Sequence, residues 1–249
     1  MNASTRIATT SPRSLRASES GIALLMVMLV TSFLSALGFG LMLAVFMDRL
    51  ATGNMAGSAA MFYAADGGVE FAARELAQEA DFDVVLSGGR RSAFTDGAPS
   101  GTRSLPGGDA VDLTASTNML NCGKPTTCTA AQMNANSNER PWGANNPRWQ
   151  LFAYGPMEQF TGIVRPAACY LAVWIGDDVR EQDGNPSVDA AVGETGHGIV
   201  RVHSEAFGMA GSRRAIEAEL ARVCPADLDP LCLPGIRVQS WQEVRQVQP

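Results

Sequence analysis

Histidine is nearly missing from this chain, with two in 249 residues, His197 and His203, and neither stands at a recognisable catalytic spacing from a serine or cysteine nucleophile. Both are read as structural. The five cysteines do not repair the shortage of metal ligands. Cys122 and Cys128 are separated by five residues and Cys224 and Cys232 by seven, whereas zinc sites use ligands two to four residues apart. A Walker sequence and a zinc-protease motif are missing, and Gly38-Phe39-Gly40 lacks the third glycine of a dinucleotide fingerprint. Basic residues are scarce too. Of 19 Lys and Arg, three (Arg6, Arg13, Arg16) precede Gly21, so 16 basic face 24 acidic residues beyond it, a balance of −8. A body so charged is a poor binder of phosphate, and no nucleic-acid partner is expected. No cofactor is expected either.

Charge disappears altogether from Ile22 to Met47, a run of 26 residues. As a helix rising about 1.5 Å per residue it would extend about 39 Å, against about 30 Å for the hydrocarbon core of a bilayer. It is long enough to span. The arginines ahead of it predict that residues 1–21 stay in the cytoplasm and that everything after Asp48 is exported. Residues 1–20 are rich in Ser, Thr and Arg without apolar periodicity, and read as a disordered leader. The apolar run is too long for the 7–15-residue core of an ordinary secretory signal. The sequon Asn2-Ala3-Ser4 lies in that leader and should be silent.

Helical periodicity continues past the span. Met55, Phe62, Val69 and Leu76 recur every seven residues, beside a small-residue row of Ala51, Ser58, Ala65 and Ala72. Asp66, Glu70, Arg74 and Glu75 mark the polar face, with Glu70 and Arg74 at i,i+4 spacing. One helix over about 22–80 is predicted, spanning at 22–47. Gly53, Gly57, Gly67 and Gly68 each weaken it by about 1 kcal/mol relative to Ala, so packing must hold it.

Residues 86–147 are dominated by Gly, Ser, Thr, Asn and Pro and read as long loops. Strand signals follow at Trp149–Tyr154, Cys169–Ile175, Ile199–Phe207, Arg214–Val223 and Ile236–Trp241, the middle pair joined by the hairpin-length Gly208–Ser212. The predicted fold is α+β, a long N-terminal helix packed on an antiparallel sheet that fills the β-rich region 81–249. In an exported region disulfides can form: Cys122/Cys128 and Cys224/Cys232 are the close pairs, with Cys169 left single, and other pairings stay open. Asp183, Asn185 and Asp189 offer oxygens to calcium, but the order is not that of an EF-hand, and a solvated acidic turn is the simpler reading. Trp142, Trp149, Trp174 and Trp241 are read as core or interface anchors.

The order of leader, glycine, uncharged helix, amphipathic continuation and β-rich domain resembles the type IV pilins. Ser20-Gly21-Ile22-Ala23-Leu24-Leu25, Gly53-Asn54-Met55-Ala56-Gly57 and the run Phe62 to Glu70 resemble the N-terminal region of PilX-type minor pilins; Val200 to Gly208 followed by Arg213 to Ala218 resembles the paired strands that close such headgroups. The resemblance implies cleavage by a prepilin peptidase between Gly21 and Ile22, methylation of the new N-terminus, and storage in the bacterial inner membrane. It also implies assembly into an extracellular pilus by helix packing through Met26, Met55, Phe62, Val69 and Leu76. The implied partners are other minor pilins, the major pilin and, at the tip, an adhesin. No enzymatic activity is implied. Major pilins carry a glutamate five residues into the mature chain, where this chain has Met26. That departure points to a place at the filament tip or in a priming complex. The alternatives are the tip minor pseudopilin of a type II secretion system, and a membrane-tethered periplasmic enzyme or binding domain.

Overall fold

The computed structural model describes residues 16–105, 107–135, 143–161, 168–181, 183–223 and 235–244, without side-chain surroundings at 16–20, 160, 161 and 210. The chain divides into two compact units, Met1–Asn54 and Met55–Pro249. A single helix, α1 (Arg16–Leu76), runs through the boundary. It begins inside the predicted leader, so residues 16–20 are helical rather than disordered. It ends at Leu76, where the amides of Gln78 and Glu79 turn back to the carbonyls of Glu75 and Leu76, and a short helix, α2 (Asp83–Leu86), follows.

In the first unit every large apolar side chain from Ile22 to Leu50 is about half exposed or more. The hydroxyl of Thr31 bonds to the carbonyls of Val27 and Met28, at 2.9 and 3.0 Å, so its polar group is satisfied within the helix. By length and composition this helix can cross a membrane.

The second unit is built on a five-stranded antiparallel meander in sequence order: β3 (Gln150–Pro156), β4 (Tyr170–Asp177), β5 (Ile199–Phe207), β6 (Arg213–Arg222) and β7 (Ile236–Val244). It follows a small sheet of β1 (Thr102–Ser104) and β2 (Ala110–Asp112). All five predicted late strands are present, within two residues at either end except β7, which continues three residues beyond Trp241. Strand alternation sorts the side chains into two layers. One face (Leu171, Val173, Ile175, Val200, Val202, Ile216, Ala218 and Leu220) packs on α1. The opposite face carries a second apolar cluster of Trp149, Leu151, Tyr154, Tyr170, Trp174 and Phe207, covered by Val111 and Leu113.

The helix meets the sheet through small residues more than through the predicted heptad. Ala65 and Ala72 are fully buried, and Val69 and Leu76 are almost so, but Met55 is 74% exposed and lies outside the core, and Phe62 packs only at its edge. Gly68 makes the closest approach: an added Cβ would collide with Ser204 Oγ and lie 3.1 and 3.2 Å from the two Leu171 methyls.

Residues 86–147 are not all loop. Besides the small sheet they hold α3 (Leu113–Cys122), capped by Asp112, whose carboxylate accepts the amides of Thr114 and Ala115, and ended by Gly123 at φ 68°. A further turn of helix, α4, covers Ala130–Ala135. The Cys122–Cys128 disulfide forms, tying the end of α3 to the segment that follows; Cys169 is free and buried, and Cys224 and Cys232 lie outside the described residues. Replacing Cys122 and Cys128 by Ser should cost about 2 kcal/mol through lost loop constraint, measurable as a lower Tm that reductant reproduces in the native chain.

The sheet edges differ. Residues 92–96 run along β3, with bonds from Ser92 N to Phe152 O, Tyr154 N to Phe94 O and Asp96 N to Tyr154 O. Among the described residues nothing pairs with the outer edge of β7.

Candidate processing and assembly segment

Gly21 and Ile22 lie within α1, Ile22 is 60% exposed, and no atom comes within 4 Å of where a Gly21 Cβ would sit. Met26, four residues on, is exposed like its neighbours. What the segment presents is continuous apolar surface, whose removal from water requires lipid or other apolar helices.

Within the second unit, α1 is also fastened to the outermost strand. The Trp241 indole N–H donates to Asp66 Oδ1 at 3.0 Å, and its ring meets Phe62 edge to face at 5.6 Å. Arg214 bonds to Ser58 Oγ and to Glu243 at 2.9 Å. Asp66 and Phe62 therefore hold β7 to the helix.

His203 is 1% exposed, between the rings of Trp149 and Trp174 with centroids at 5.7 Å. Its Nδ1 is 3.0 Å from Glu217 Oε1, and its Nε2 is 4.0 Å from Glu205 Oε2. Arg213 pairs with Glu205 and Arg201 with Glu217. Burial works to raise the Glu217 carboxyl, but the bond to His203 and the nearby positive charges outweigh it and hold it below its ordinary value. This ladder explains how a polar row is buried on a sheet face, and it agrees with the structural reading of His203. His197 likewise serves its loop, with Nδ1 2.6 Å from the Ala190 carbonyl.

The three calcium candidates do not converge. Asp183 accepts the Asn185 amide in a local turn, and both oxygens of Asp189 accept the Gly198 amide, at 2.9 and 3.0 Å. Among the described residues no three acidic, imidazole or thiol groups gather as a metal centre. The loop nevertheless holds a residue that sequence reasoning passed over. Glu181 is 1% exposed, and the Ala190 amide acts on its carboxylate against the larger effect of burial. Burial, then the neighbouring Asp177, pushes its carboxyl up to about 9. Asp177, also buried, is pushed up to about 8, again chiefly by burial. Nothing in the local text marks Glu181 as buried, since an acidic residue in a polar loop is normally solvated.

Set against known proteins, the chain matches no family model, no curated protein and no solved structure.

Proposed function

We propose that this chain is a minor pilin that primes assembly of a type IV pilus or sits at its tip. One observation carries the reading. The apolar segment and the ridge beneath the antiparallel sheet are one uninterrupted helix, Arg16–Leu76. Such a rod can stay in lipid through its first half while its second half organises a folded head, and it can later exchange lipid neighbours for the helices of other pilins. Cleavage by a prepilin peptidase at Gly21–Ile22 would remove the arginine-rich leader, leaving Ile22 as the mature and methylated N-terminus. The chain would then wait in the bacterial inner membrane, N-terminus toward the cytoplasm, before entering an extracellular filament with other minor pilins and the major pilin. No catalytic step is assigned to it.

Met26 supports the tip position. A carboxylate at this depth costs on the order of 2.5–3.5 kcal/mol on insertion scales, and persists where a neighbour's amine compensates it. A subunit with no subunit above it has no such amine to meet. In cells lacking this chain, surface filaments should become sparse or absent, with wild-type and Met26→Glu forms compared for rescue and for copies per sheared filament. The reading predicts rescue by wild type at few copies and no gain in incorporation from Met26→Glu. Incorporation along the shaft, or a clear increase with glutamate, would contradict the tip position.

A further inference from the structure

One stretch of α1 lies outside both of the settings that hold the rest of it. Every residue from Asp48 to Ala56 is exposed, and the first buried side chain beyond the span is Met61. Arg214 of β6 reaches the helix at Ser58, donating from Nε to Oγ at 3.0 Å. At Gly53 and Gly57 nothing outside the local helix comes within 4 Å of where a Cβ would sit. No charged residue stands between Arg49 and Asp66, so no i,i+4 ion pair braces the stretch either. Within residues 50–57, Thr52, Gly53, Asn54 and Gly57 are all poor helix formers. Gly68 shares that weakness but is buried against Leu171 and Ser204. Gly38 and Gly40 share it too, but they lie inside the span, where lipid offers no replacement for a broken helix hydrogen bond. At 50–57 water offers one.

We propose that residues 50–57 are a joint in α1: their helical hydrogen bonds open to water and reclose while the span before them and the ridge at 61–76 stay helical. Exposed backbone bonds without buried apolar contacts are the marks of a segment that opens locally, below the free energy of global unfolding. Two independent features converge on the same place. The division between the compact units falls at Asn54 and Met55, and the two exposed glycines flank it. Glycine is also where a helix bends most easily once a bond is lost. The inference rests on the pilin reading only for the use of the joint: a second unit on a jointed stem can turn to meet other minor pilins while its span stays in lipid, and packing against their helices then closes the joint.

Amide hydrogen exchange on the purified full-length chain in lipid nanodiscs, read by mass spectrometry of peptic fragments, tests the joint. Corrected for intrinsic rates, amides of residues 51–57 should exchange about a hundredfold faster, or more, than those of 64–76 and those of the span. Replacing both Gly53 and Gly57 by Ala should slow exchange at 51–57 about twentyfold, about four- to fivefold for each glycine, and slow 64–76 much less. Both new methyl groups enter open space, so the variant keeps its fold, which near-ultraviolet circular dichroism verifies. Protection at 51–57 equal to that at 64–76, a double variant that exchanges as fast as the wild type, or equal slowing of the two stretches overturns the proposal. Leader processing and filament membership are measured separately in cells, so none of these results decides the pilin reading.

Discussion

Gly68→Ala should lower the stability of the second unit by about 1–3 kcal/mol, whereas Gly57→Ala, eleven residues earlier in the same helix, should raise it by up to about 1 kcal/mol. Both changes improve helix propensity equally. They differ in what the new methyl meets. At Gly57 nothing lies within 4 Å of an added Cβ; at Gly68 it meets Ser204 Oγ and both methyls of Leu171, on adjacent strands of the sheet. Ser204 and Leu171 are fully buried, so neither can swing outward to make room. The larger Gly68→Leu should prevent the helix from seating on β4 and β5 and leave the unit unfolded. Thermal unfolding of the three full-length variants in detergent, followed by near-ultraviolet circular dichroism, checks this. Equal shifts at positions 57 and 68 would mean that the close approach at Gly68 is not what holds helix to sheet.

Trp174→Ala should cost about 3–5 kcal/mol, the range for emptying a large aromatic site, and so lower Tm by about 10 °C. Trp174 is fully buried at the centre of the face opposite α1, and its indole N–H donates to Thr117 Oγ1 at 2.8 Å. That bond ties β4 to α3, and the ring forms one wall around His203. Truncation therefore opens a cavity, removes the hydrogen bond that Thr117 Oγ1 accepts and takes packing from the His203–Glu217 pair. Trp174→Phe keeps most of the volume and loses the hydrogen bond, so its cost should fall to about 1–2 kcal/mol. Similar losses for Ala and Phe would shift the weight from packing to the single bond with Thr117.

The fold was legible where periodicity and burial coincide. β5 and β6 alternate cleanly, and all five late strands lie in one antiparallel sheet with β5 and β6 joined across Gly208–Ser212. The heptad on α1 was less informative. A seven-residue repeat drifts by about 20° per repeat on a straight helix, so Met55 is turned about 60° from Leu76, and the buried core on α1 begins only at Met61. The small-residue row beside the heptad carried the truer signal, because Ala65, Ala72 and Gly68 let the helix come close. α3 escaped notice for another reason. Its residues Leu113–Cys122 are rich in Thr, Ser and Asn, which favour turns, and the helix rests on its Asp112 cap and Gly123 stop. Of the candidate sites, the Gly21–Ile22 junction was expected from the resemblance, and it lies in the exposed part of α1. The buried state of Glu181 was not, because it arises from Gly196 folding back over the loop, a contact between residues fifteen apart.

The account rests on a leader being trimmed from an apolar helix, and the mass of the mature N-terminal peptide tests it most directly. From cells with an intact prepilin peptidase, the chain should begin at Ile22 carrying one added methyl group. From cells without that enzyme it should keep residues 1–21. Finding residues 1–21 still attached in both strains would contradict the account.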